Sequence, residues 1–119
     1  MKKKIFMFDL DNTICKTKKN HYKNSFPIKK LINQINQIKK NGHEIKIFTS
    51  RYMGRNYENS KLVKKKFYKE TLKQLKKWDI EFDSLIMGKP SYDYHIDDKS
   101  YNSSSKFAKN ILKKYSKIK

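Results

Sequence analysis

The chain has 119 residues, 36% of them hydrophobic, and a formal net charge of +19. That length supports one domain with one core, and the lone cysteine, Cys15, excludes an internal disulfide framework and a cysteine-based zinc site. The apolar run after Lys2-Lys3-Lys4 is too short for a signal-peptide core, and no stretch approaches a membrane span, so the expectation is a cytoplasmic protein with no membrane partner.

Of the 30 basic residues only Arg51 and Arg55 are arginine. Phosphate grips favour arginine, so lysines spread through loops and helices read first as solvated surface. The alternative is a positive field that draws in anionic substrates or nucleic acid.

In chain order, residues 5–8 form an apolar run that reads as a buried parallel strand. A polar stretch, 16–25, follows. Pro27 is expected to open a helix whose stripe is Ile28, Leu31, Ile32, Ile35 and Ile38, ended by Gly42. Residues 44–49 read as a second strand and 58–78 as a long helix burying Val63, Phe67, Leu72, Leu75 and Trp78. Residues 84–87 read as a third strand, ended by Gly88-Lys89-Pro90, and 92–96 as a fourth, ended by Asp97-Asp98. A last helix carries Phe107, Ala108, Ile111, Leu112 and Tyr115 behind the capping serines 103–105. Alternation of this kind predicts an α/β fold with a parallel, doubly wound sheet and helices on both faces, a three-layer α/β/α sandwich.

Four strand ends on one edge would bring polar residues together. These are Asp9 and Asp11, Thr49-Ser50-Arg51, Lys89, and Asp97-Asp98. Two carboxylates two residues apart point the same way just past a strand, in the crevice where ligands of open α/β sheets bind. Carboxylates suit Mg²⁺, while a hydroxyl and an ammonium suit phosphoryl oxygens. A carboxylate can also attack phosphorus while a second one handles the proton.

With these residues the chain resembles the haloacid dehalogenase-like (HAD) superfamily of phosphohydrolases. The motifs are Asp9-Leu10-Asp11-Asn12-Thr13, Thr49, Lys89 and the pair Asp97-Asp98. Asn41-Gly42-His43, Thr49-Ser50-Arg51, Gly88-Lys89-Pro90 and Ile96-Asp97-Asp98-Lys99 resemble small capless members associated with capsule or surface-polysaccharide biosynthesis. The resemblance implies a Rossmann-like core and a Mg²⁺-dependent phosphatase working through an aspartyl-phosphate. It makes Asp9 the nucleophile and Asp11 the acid–base. Asp9, Asp11 through its backbone carbonyl, and Asp97 would hold the metal, with Asp98 behind or beside them. Thr49, Ser50 and Lys89 would hold the phosphoryl group, and Arg51 could meet a substrate anion. Asn12 stands where many relatives have glycine.

About 35 residues separate the first two motifs and about 40 separate Thr49 from Lys89. Neither interval leaves room for a cap domain, so the site is expected to be open or covered by another subunit of a homo-oligomer. A small sugar-like phosphate is the expected substrate, a phosphorylated nucleic-acid end the alternative, and a non-catalytic binding protein the third reading. His21 and Tyr22, in the stretch after the first strand, are candidates for substrate contact. His43 and His95 read as structural, Lys99 as a charge neutraliser and Cys15 as buried filler.

Overall fold

Three apolar strands lie side by side in one sheet. The computed structural model describes residues 2–119. β1 (Ile5–Phe8), a small antiparallel pair β2 (Cys15–Lys16) and β3 (Phe26–Pro27), α1 (Lys29–Lys40), β4 (Glu44–Thr49), α2 (Ser60–Lys77), β5 (Ser84–Met87) and α3 (Lys106–Tyr115) follow in order. The main sheet is parallel with strand order β1-β4-β5. The expectation of an α/β fold with a parallel sheet holds.

The register explains which face is buried. Phe8, Ile47 and Leu85 form one row, flanked by Phe6 with Ile45 and by Thr49 with Met87. This face, with Ile32, Ile35 and Ile38 of α1 and Val63 and Leu75 of α2, makes the core. Right-handed crossovers along a monotonic strand order place α1 and α2 on the same side. The alternate rows, Ile5 with Glu44, Met7 with Lys46 and Ser84, and Phe48 with Ile86, point the other way. Ile5, Met7 and Ile86 there remain exposed, so a second helical layer does not cover them as the three-layer expectation required. Instead α3 packs beside α1, where Tyr115 meets the Phe6 ring edge-on at 5.5 Å.

Several boundaries differ from the sequence expectation for local reasons. Pro27 does not open α1. It lies in β3 opposite Cys15, and the Ile28 N–H donates to the Ile14 carbonyl at 2.9 Å. α2 begins at Ser60 rather than 58 because Tyr57 and Glu58 both have left-handed φ, 57° and 54°. Asn59 then caps it, its Oδ1 accepting from the Leu62 N–H at 3.1 Å. Ser105 caps α3 in the same manner. Gly42 (φ 97°) ends α1, as its position suggested.

The largest correction is the fourth strand. Residues 92–96 pair with no strand and lie, with the whole of 91–104, in an exposed irregular arm. His95 is therefore not inside a strand. The Tyr-Asp-Tyr-His-Ile alternation is a strand pattern without a neighbour to bond.

Candidate active site

The carboxyl edge of the sheet gathers most of the expected site. Asp9 follows β1 directly. The Leu10 carbonyl then accepts from the N–H groups of Thr13, Ile14 and Cys15, closing a tight turn. Asn12 at its tip takes φ 61°, a left-handed value asparagine tolerates, and its Oδ1 accepts from the Thr17 N–H at 3.1 Å. Leu10, fully buried, anchors the turn so that Asp9 and Asp11 stay at the edge.

Lys89 reaches the same place from β5. Its backbone N–H donates to the Thr49 carbonyl at 3.0 Å, and its Nζ lies 3.8 Å from Asp9 Oδ1. Gly88 makes this approach feasible. It has φ 91°, and a Cβ there would lie 2.6 Å from Ser60 Cβ. Burial pushes the Asp9 carboxyl above its usual range, opposed by the positive charge of Lys89.

Asp11 has a different partner. Arg51 Nε donates to both its oxygens, at 2.8 and 3.1 Å, and the Thr17 hydroxyl also donates to Oδ1. The rest of the guanidinium is equally engaged: Nη1 donates to Gln74 Oε1 at 2.6 Å and Nη2 to Ser25 Oγ at 3.3 Å. Arg51 is buried and holds Asp11, so it does not stand open at the rim where a substrate anion was expected to meet it. Thr49 is buried too, its Oγ1 accepting from the Arg51 N–H at 3.1 Å, while Ser50 is half-buried at the rim.

Asp97 and Asp98 are not at this edge. They sit in the exposed arm and bond mainly to each other, the Asp98 N–H donating to Asp97 Oδ1 at 2.6 Å. That pairing holds the Asp97 carboxyl below its usual range and raises Asp98. Among the described residues no group of three His, Cys, Asp or Glu converges. Of the acids expected to hold Mg²⁺, the chain brings Asp9 and Asp11 to this edge, where Asp9 faces Lys89 and Asp11 is held by Arg51.

Beside the edge lies a groove of about 480 Å³ lined by Asn20, Tyr22, Ser50, Tyr52, Gly54, Arg55 and Ser91. Arg55 stands over the Tyr22 and Tyr52 rings at 5.3 and 5.4 Å, and Tyr52 stacks on Phe67. Of the two residues expected to touch substrate, Tyr22 lines this groove, while His21 is exposed and not part of its lining. Tyr52 and Arg55 were missed. The one signal for them was an arginine four residues after Arg51 in a lysine-dominated chain. His43 is structural, as expected: Nδ1 accepts from the Lys4 N–H at 3.0 Å, and burial lowers its basicity. Cys15 is buried filler. No helix among the described residues is long and apolar enough to cross a membrane.

No family model matches the chain, and no curated protein matches it. The crystal structure of an MCSG target from Vibrio cholerae superimposes with a TM-score of 0.80 at 25% identity, over 95% of this chain and 96% of that one.

Proposed function

We propose that this chain is the catalytic body of a phosphoric monoester hydrolase of the haloacid dehalogenase-like type, acting through an aspartyl-phosphate on Asp9. The observation that carries the reading is the meeting of Asp9 and Lys89 at one sheet edge, with Lys89 Nζ 3.8 Å from the carboxylate and its backbone tied to Thr49. An ammonium beside a nucleophilic carboxylate offsets the repulsion between that carboxylate and an approaching phosphate anion.

In the proposed sequence an Asp9 oxygen bonds to phosphorus as the bond to the ester oxygen breaks. Asp11 supplies a proton to the leaving alcohol. Water then attacks the acyl phosphate, its proton passing to Asp11, which releases inorganic phosphate and frees Asp9. Both Asp11 oxygens face Arg51, so Asp11 must turn off that pair to reach the leaving group. Mg²⁺ belongs to this proposal only for a site with more acids than one chain assembles.

A small sugar-like phosphate is the favoured substrate. The lysines are dispersed over α1, α2 and α3, and only Lys89 stands at Asp9, which does not build a track for a nucleic-acid backbone. The 480 Å³ groove is of small-ligand size and offers two tyrosine rings with the polar groups of Asn20, Ser50 and Ser91. The test is a phosphomonoester panel, with and without Mg²⁺, that includes 3′- and 5′-phosphorylated oligonucleotides. Turnover of sugar phosphates with a trapped phosphoryl group on Asp9 is expected. Preference for oligonucleotides would replace the substrate class, and no turnover of any member returns the chain to a binding role.

A further inference from the structure

The exposed arm poses a connection problem. Only residues 88–91 lie between the end of β5 and Tyr92. A parallel strand on the same sheet requires a crossover of a dozen residues or more. Four residues suffice for a hairpin back along β5, but that antiparallel course carries Asp97 and Asp98 to the end of the sheet opposite Asp9. The chain therefore cannot bring its own acidic pair to its own site as a parallel fourth strand.

A second copy has no such constraint, and the surface suits it. β1 is an edge strand, paired only with β4. Its outward residues Ile5 and Met7 are 61% and 60% exposed. In the arm Tyr92, Tyr94 and Ile96 alternate with Asp93 and His95, giving one apolar face. Tyr94 and Ile96 on that face are 88% and 94% exposed. Charge agrees: the arm carries Asp93, Asp97 and Asp98 against the single Lys99, within a chain of net charge +19.

We infer that the arms of two copies exchange, each adding as a parallel strand to the free β1 edge of the other. Strand addition of this kind satisfies backbone groups that an open edge leaves unpaired. A two-fold axis makes the exchange reciprocal and closed. In the register that sets Tyr94 beside Ile5 and Ile96 beside Met7, Asp98 of the second copy comes level with Asp9 and Asp97 lies one residue before it. Each site is then completed by the other chain, raising its carboxylates from two to four. The catalytic meaning of this completion rests on the hydrolase reading; the exchange itself does not.

Two measurements test it. The Met7→Cys/Ile96→Cys double variant is expected to oxidise to a covalent dimer that reductant reverses, and sedimentation of the wild type should give a dimer. A wild-type monomer, or a disulfide closed within one chain, overturns the exchange. Co-expressed Asp9→Asn and Asp97→Ala/Asp98→Ala chains, each inactive alone, are expected to recover about a quarter of wild-type turnover in randomly assembled dimers. No recovery from mixed dimers overturns the shared site. A cross-linked dimer of inactive wild type leaves the exchange standing and sinks the hydrolase reading. An active monomer does the reverse.

Discussion

Two stretches of this chain have the same design, an apolar or alternating run that ends in aspartates, and the fold treats them oppositely. At residues 5–11 the run is a strand with a partner, and its carboxylates meet Lys89 and Arg51. At residues 92–98 the run has no partner, and its carboxylates meet each other. Residue type thus sets what a segment can do. The length of the connection before it decides where it does it.

The sharpest way to break this comparison is to remove charge from the built site. Asp9→Asn is expected to abolish turnover and phosphoenzyme alike, measured by rapid quench and mass spectrometry. Asp11→Asn should lower turnover by about 10² to 10⁴. With p-nitrophenyl phosphate, whose leaving group scarcely needs a proton, it should still phosphorylate Asp9 and stall. Wild-type-like turnover by Asp9→Asn would end the aspartyl-phosphate reading.

Stability should separate the same two regions. Arg51→Met leaves Asp11 without its partner in a mostly buried setting, an error that costs about 3–5 kcal/mol. Lys99→Ala in the arm should stay within about 0.5 kcal/mol. Urea unfolding of both variants reads the difference, and equal midpoints would mean that Arg51 does not hold the site together.

The smallest expected effect is on pH. Burial raises the Asp9 carboxyl, so its folded-state value lies above its unfolded one. Holding Asp9 charged then costs stability above that folded value, and the cost is relieved as pH falls through it. The acid limb of kcat/KM should accordingly lie above the pH of about 3.9 at which a free aspartate titrates. Lys89→Met removes the opposing charge and should move the limb higher still. A limb that moves down would mean that Lys89 does not act on Asp9.

Much of the site was legible because its signals are local. Apolar runs broken by Asp9, Thr49 and Gly88 mark strand ends, and parallel strand ends share an edge. The Asp11–Arg51 pair was not legible, since the two lie 40 residues apart and an arginine next to a phosphate-type threonine looks the same whichever way it points. The missing fourth strand was half legible. The 92–96 alternation is a strand pattern, but the four-residue link before it, equally plain in the sequence, is too short for a crossover.

The left-handed residues described above have a wider consequence. The chain has three glycines, yet Asn12, Lys19, Tyr52, Tyr57, Glu58 and Asp79 all take positive φ without being glycine. α1 leaves its last turn through Gly42, while α2 leaves through Asp79 at φ 55°. Asn12 and Asp79 tolerate that region, but at Lys19, Tyr52, Tyr57 and Glu58 local preference and global fold disagree, a frustration that surrounding contacts must override. Exposed Asp79 follows the C-terminal end of α2, away from the Asp9–Lys89 contact, so this protein carries stability it has not drawn on, open to mutation without touching its chemistry.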